Sequence, residues 1–176
     1  MRGPAQRQSQ QARIEGGSQQ LSETYGQVRR YSESLCAPLV IEDHGAQPMA
    51  DVSPPKWHLA HTSWFFEEFV ISPFVDTYRV FHPKYRYLFN SYYESVGPRH
   101  NRPRRGSATR PTVGEIHLYR EAVDEAMKAL LISSDFRDEL GERVILGLNH
   151  EEQHQELLVT DIKYILGTQP LQPPYG

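Results

Sequence analysis

The sequence predicts an all-α fold, a four-helix bundle whose second and third helices are joined by one long crossover. Three observations carry this reading. Apolar residues recur at three- and four-residue intervals in four segments, while the strict alternation of a half-buried strand is not evident anywhere. Start and stop signals bracket the segments. The stretch 72–111 is far longer than an ordinary helix–helix connection, yet it is too rich in aromatic residues to read as disorder.

Residues 1–17 are polar, Gln-rich and without periodicity, and are expected to form a disordered lead-in. From Ser18 to about Cys36, Leu21, Tyr25, Val28 and Leu35 recur at helical spacing and predict the first helix. Residues 37–52 form a connection containing Pro38 and Pro48. Ser53-Pro54-Pro55 then opens the second helix, with serine suited to the N-cap and proline tolerated in the first turn. That helix, KWHLAHTSWFFEEFVI (56–71), is aromatic on several faces and is expected to lie deep in the core.

The crossover carries Tyr85, Tyr87, Phe89, Tyr92 and Tyr93, followed by the basic segment PRHNRPRRGSATRP (98–111). It reads as an ordered segment that covers something. Thr112 and Glu115 form a capping-box pattern that starts the third helix, which runs to about Leu131. Val113, Ile116, Tyr119, Val123, Met127 and Leu130 line its apolar face. Ser133-Ser134-Asp135 breaks the chain, and the fourth helix is expected from about Phe136 to Leu166. Gly167 and the proline-rich QPLQPPYG (169–176) end it. The bundle domain is therefore placed at 18–170, with 171–176 expected to begin a linker.

Composition narrows the function classes. Of the 176 residues only 38% are hydrophobic, but 10 Tyr, 7 Phe and 2 Trp can compensate for a thin aliphatic core. The formal net charge of -3 argues against nucleic acid or an anionic membrane as partner. With Cys36 the single cysteine, an internal disulfide and a cysteine-based metal knuckle are excluded, and a reducing compartment is the default. The N-terminal segment lacks the apolar region of a signal peptide, and no segment has the length to span a bilayer. A cytoplasmic location is expected.

The stretch that points to chemistry is NHEEQHQELLVTDIKYIL (149–166). His150 and His154 stand four apart on the fourth helix, which stacks both imidazoles on one face where they can share a metal ion. Glu151 after the first histidine gives the pattern a likeness to the zinc-protease H-E-x-x-H. Against that, no further ligand follows at the expected distance, and Glu156 falls on another face. A surface histidine pair on a charged helix shows the same spacing. A third ligand would come from a facing helix, and the second helix offers His58 and His61. Spacing alone does not choose between these two. Three neutral imidazoles with open positions suit zinc, iron, copper or nickel.

Arg99, Arg102, Arg104, Arg105 and Arg110 form the second feature. Arginines fork onto carboxylates and phosphates, so a cluster beside aromatics and a metal points to capture of an anionic small molecule. A solvated basic loop is the alternative.

WHLAHTSWFFE (57–67), LFNSYY (88–93), RPRRG (102–106), RPT (110–112) and HEEQHQE (150–156) together resemble the N-terminal DinB-like domain of the ergothioneine-biosynthesis sulfoxide synthases. The resemblance runs from about Leu21 to Tyr175. It implies a DinB-like four-helix bundle holding non-haem iron(II) on three histidines. It further implies an oxygen-dependent coupling of γ-glutamylcysteine or cysteine to the imidazole of hercynine, with formation of a C–S bond and a sulfoxide. Carried over by motif, the iron ligands are His61, His150 and His154, with His58 in a supporting or packing role. Gln153 matches a residue that contacts hercynine, and Arg102 and Arg105 match arginines that grip the thiol substrate's carboxylates. Glu156 belongs to the motif, but helical geometry gives it a structural part.

In that family a second domain, resembling formylglycine-generating enzyme, supplies a catalytic tyrosine. None of the tyrosines here takes that role by motif, and a separately encoded partner domain is one expectation. Two rival readings remain. One is a DinB-superfamily thiol-dependent transferase or hydrolase using zinc or nickel. The other is a non-catalytic metal-binding module that docks a separate catalytic domain.

Overall fold

In the computed structural model, residues 4–133 and 138–176 are described, with side chains from residue 17 onward. Four long helices form the bundle: α1 (Pro4–Cys36), α2 (Pro55–Phe66), α5 (Val113–Leu131) and α6 (Asp138–Gly167), with two short helices, α3 (Ser72–Phe74) and α4 (Tyr85–Phe89), lying between α2 and α5. No strand occurs among the described residues. Helix α1 begins ahead of Ser18, where the apolar periodicity places its start. The expected start of the fourth helix near Phe136 lies outside the described residues.

Helix α2 is the centre of the bundle. It packs on α1, α5 and α6, and α6 packs on α1. Every α2 residue except Lys56 is buried, which is why its aromatic residues run round all faces instead of forming one stripe. On α5, by contrast, Ile116, Tyr119, Val123, Met127 and Leu130 form the buried stripe that their spacing predicts. The expected capping box is present. Thr112 Oγ1 accepts from the Glu115 backbone N–H, and the Glu115 carboxylate accepts from the Thr112 N–H at 2.7 Å.

Helix α2 does not stop at Phe66. It continues through a π-helical turn, Glu67–Ile71, into the short helix α3 (Ser72–Phe74). The turn aims the buried Glu67 carboxylate at the crossover. It accepts hydrogen bonds from the Tyr78 hydroxyl (2.8 Å), the Phe81 N–H (2.9 Å) and the Tyr119 hydroxyl on α5 (2.6 Å). The crossover is ordered, as its aromatic content implies. It holds the one-turn helix α4 (Tyr85–Phe89) and a 3-10 segment at Arg102–Ser107. Tyr85 and Phe89 are buried against Tyr119, whereas Tyr87 and Tyr92 are exposed.

A buried ionic network crosses all four long helices. Glu151 on α6 pairs with Arg29 of α1 at 2.9 Å and Arg120 of α5 at 3.2 Å, and accepts from Ser32 Oγ at 2.6 Å. Arg29 also donates to Ser63 of α2 (2.8 Å) and pairs with Asp124 (2.7 Å), while Arg120 donates to the Leu59 carbonyl (2.9 Å). Burial raises the Glu151 carboxyl, but Arg29 and Arg120 outweigh it and bring it down to about 2. A carboxylate held in this way lends stability that is present above the usual carboxylate range and is lost as the pH falls toward 2.

Close approach of α6 to α2 depends on Gly147. A Cβ at this position would lie 2.5 Å from Cε1 of Phe66, which is fully buried. Gly147→Ala is therefore expected to destabilise the fold by about 1–3 kcal/mol, the usual range for overpacking. Glu151→Ala leaves two buried guanidiniums facing one another and is expected to cost about 3–5 kcal/mol. Urea denaturation of both variants measures these values, and an unchanged midpoint for either would contradict the corresponding contact.

Candidate metal and anion site

The middle of the α2–α6 interface, between the Phe66–Gly147 and Ser53–Asp161 contacts, holds the candidate site. Helix α2 presents His61, and α6 presents His150 and His154 one turn apart. Their ligand-capable nitrogens lie within 4.8 Å of one another. The three rings are in direct contact, His61 being 4.9 Å from His150 and 4.5 Å from His154 between centroids. The structure thus brings together the three histidines that the motif singles out. No other His, Cys, Asp or Glu group of this kind occurs among the described residues.

The donor set fits a metal ion on chemical grounds. His61 Nδ1 lies 2.6 Å from the Phe89 carbonyl, which can only accept, so this nitrogen carries the hydrogen and Nε2 keeps a free lone pair. His154 Nδ1 is engaged by His58 at 3.0 Å. His150 Nδ1 is buried without a hydrogen-bond partner. Burial, with the nearby His150 adding to it, holds His61 well below the ordinary imidazole range. Burial likewise pushes His150 down to about 4, against a small opposing effect from Glu151. His154 is lowered further, by burial and then by His61, His58 and His150. All three are neutral at neutral pH, the form in which imidazole ligates metals.

The H-E-x-x-H likeness ends here. Glu151 follows His150 by one residue, about 100° round the helix, and faces the ionic network and not the histidines. Both of its oxygens are engaged, so it is not placed as a base for a bound water. Glu156 is exposed on α6 and away from the cluster. His58 does not join the group but sits behind His154, in contact with Asp161.

A cavity of about 450 Å³ opens over the histidines, with Trp57, Tyr93, Arg102, Arg105 and Gln153 on its walls. Its far wall is the crossover. Buried Asn90 organises that wall by donating to the Tyr93 and Gly97 carbonyls at 3.1 Å each. Gln47 fixes the arginine segment, donating to the Arg102 carbonyl at 2.8 Å and accepting from the Gly106 N–H at 2.6 Å. A Cβ on Gly106 would come within 2.6 Å of Gln47 Cβ, so the glycine serves this contact.

Of the five crossover arginines, Arg102 and Arg105 face the cavity, while Arg99, Arg104 and Arg110 are exposed. Arg105 is only 5% exposed, and its guanidinium lies 3.3 Å from the centre of the Trp57 ring. It donates to Ser53 Oγ at 2.9 Å and Ser91 Oγ at 3.3 Å, both neutral acceptors. Arg102 donates to the Tyr92 hydroxyl and the Asp51 carbonyl. The Nε atoms of both arginines are buried without partners. Burial and the neighbouring Arg102 push Arg105 down to about 9, still cationic at neutral pH. Neither arginine has a carboxylate in its hydrogen-bonding set, which is chemistry that can take an anion.

The residues that sequence reasoning missed are Trp57, which links the two halves of the site, and Ser53, Ser91 and Asn90, which shape the wall. Trp57 stacks on His61 at 4.5 Å with 13° between the planes, besides carrying Arg105. A tryptophan inside a histidine motif is a local signal of a shared wall. The serines and the asparagine give no such signal.

A family model described as the DinB superfamily matches residues 24–158, and the chain belongs to that superfamily, whose members are in general metal-binding. No curated protein matches the chain. No helix among the described residues is long and apolar enough to cross a membrane.

The buried His61 and half-buried His150 and His154 predict an acid-sensitive fold. Their folded-state pKa values lie below the unfolded value near 6.5, so below that pH the unfolded chain binds more protons than the folded one. The metal-free protein is expected to lose thermal stability steadily between about pH 6.5 and about pH 4. Melting curves across that window check this, and a flat profile would contradict the neutral cluster.

Proposed function

We propose that this chain is the non-haem iron(II) domain of an oxygen-dependent sulfoxide synthase that joins γ-glutamylcysteine or cysteine to hercynine in ergothioneine biosynthesis. The observation that carries the reading is the juxtaposition of two features across one cavity. His61, His150 and His154 converge on one side, and Arg102 and Arg105, neither hydrogen-bonded to a carboxylate, stand on the other. The sequence motifs that resemble this family fall on those same residues.

The division of labour follows from the residues. His61, His150 and His154 would hold iron with neutral nitrogen donors, leaving positions free. Iron(II) bound there would supply the activation of dioxygen and a binding point for sulfur. Arg102 and Arg105 would take the carboxylates of the thiol substrate, with the Trp57 ring fixing the Arg105 plane. Gln153, exposed on the first turn after His150, would contact hercynine from the cavity rim. Positioning of this kind is the main contribution a protein makes to such a coupling. A separate domain resembling formylglycine-generating enzyme is the proposed partner that supplies the catalytic tyrosine.

The test is metal analysis of anaerobically purified protein, followed by oxygen consumption with hercynine and each thiol, with the partner domain supplied. Stoichiometric iron and thiol-dependent oxygen uptake are expected. Zinc or nickel with no oxygen uptake would instead favour a metal-dependent thiol transferase or hydrolase of the same superfamily. His61→Ala, His150→Ala and His154→Ala are each expected to abolish stoichiometric metal binding.

Arg102→Ala and Arg105→Met are expected to weaken thiol binding tenfold or more, about 1.4 kcal/mol per decade, with metal content unchanged. Titration of the thiol into the metal-loaded variants measures this. Unchanged affinity in both would return the arginines to a solvated-loop role.

A further inference from the structure

His58 stands in line behind His154. Its Nδ1 lies 3.0 Å from His154 Nδ1, and its Nε2 lies 2.9 Å from Asp161 Oδ2. Asp161 is seven residues beyond His154 on α6, two turns along the same face. The same Oδ2 accepts the Ser53 backbone N–H at 2.8 Å, so the carboxylate is anchored to the entry of α2. His58 is 3% exposed and both of its ring nitrogens are engaged, which makes the arrangement a built one.

The hydrogens in this row follow from which atoms can donate. An ionised carboxylate only accepts, so His58 Nε2 carries its hydrogen. The close approach of the two Nδ1 atoms needs one donor and one acceptor, and a neutral His58 ring that carries its hydrogen on Nε2 presents a lone pair at Nδ1. That lone pair needs a donor, and the atom facing it is His154 Nδ1. A hydrogen on His154 Nδ1 leaves the lone pair on Nε2, the nitrogen remaining for the His61–His150–His154 cluster. Each bond in the row fixes the direction of the next.

We infer that Asp161 and His58 are positioning residues that set the tautomer and ring angle of His154 for metal binding; the inference rests on the reading of His154 as a ligand. Metal-bound histidines commonly donate their second nitrogen to a carboxylate or a carbonyl, and losing that partner typically costs 10- to 100-fold in metal affinity. His61 uses the Phe89 carbonyl in this way. His154 reaches a carboxylate through an interposed imidazole, which also makes the donor stronger by placing negative charge behind it. His58 thus has a reason to be histidine: one ring must accept from His154 and donate to Asp161. A phenyl ring fills the same space and does neither.

Two measurements test this. Long-range proton–nitrogen correlation spectra of the metal-free wild type report imidazole tautomers directly. Hydrogen on Nε2 of His58 and on Nδ1 of His154 is expected, and hydrogen on Nε2 of His154 would overturn the relay. Cobalt(II) titration against a competing chelator then compares variants. His58→Phe is expected to lose about 10- to 100-fold in affinity and to shift the visible cobalt bands. His58→Gln, whose amide oxygen accepts and whose amide nitrogen donates, is expected to restore most of both. Asp161→Asn keeps an acceptor for Ser53 and is expected to fall between them. Wild-type affinity and spectrum in His58→Phe would overturn the inference. A wild type with the expected tautomers that binds no cobalt would instead overturn the ligand reading, and with it the purpose of the relay.

Discussion

The placement of Glu151 inside the bundle constrains everything else. Its carboxylate has two buried guanidiniums and a hydroxyl as partners, drawn from α1 and α5, and any rotation of α6 that moved it would leave the carboxylate buried and unpaired and take from Arg29 and Arg120 the partner they share. The rotation of α6 is thereby locked. His150 precedes Glu151 by one residue and His154 follows it by three, so locking the carboxylate also aims both imidazoles at α2. Gly147 sets the remaining variable, the distance between the helices. Orientation by a buried ion set and spacing by an absent side chain together bring His61 into contact with its partners. A buried ion pair is weak evidence for net stability, but it discriminates sharply between alternative packings, and that is the service it gives here.

The long helices were legible because their signals are local. Apolar spacing, the Thr112–Glu115 box and the stop at Gly167 each act within a turn or two. The histidine pair on α6 was legible for the same reason. His61 was not separable from His58 by spacing, since residues three apart share a face. Only their opposite neighbours distinguish them, with the α6 cluster in front of one and Asp161 behind the other. Glu151 was the most misleading residue: its position in an H-E-x-x-H string resembles a catalytic base, yet its partners Arg29 and Arg120 come from remote segments that no window of sequence connects. The π-helical turn at Glu67–Ile71 was invisible too, because the extra residue it accommodates is set by what the Glu67 carboxylate reaches in the crossover.

The crossover shows how a segment with little regular structure can be as well determined as a helix. Its backbone groups are satisfied by a few side chains: Glu67 near its start, Asn90 at the turn before Gly97, Gln47 at the arginine segment. Lys56 of α2 closes the last part by donating to the Ala108 and Pro111 carbonyls. Polar residues in a loop are usually credited to solvent. Here they replace the hydrogen-bond ladder that the segment lacks, and they hold one wall of a cavity whose other wall is a rigid bundle.

Trp57 belongs to both walls. One ring lies against the His61 imidazole and under the Arg105 guanidinium, and its indole N–H is held by the Leu88 carbonyl at 3.2 Å. An anion that drew Arg105 toward the cavity would change the load on the face of this ring, and with it the freedom of the imidazole stacked there. If metal and anion occupy the two halves of the cavity, this ring is the group through which each would feel the other. Linkage is symmetrical: by whatever factor the anion alters the affinity for the metal, the metal alters the affinity for the anion. An indole placed at that junction is also an intrinsic fluorophore, as is Trp64 on the other side of His61, so an optical signal would accompany binding at either half.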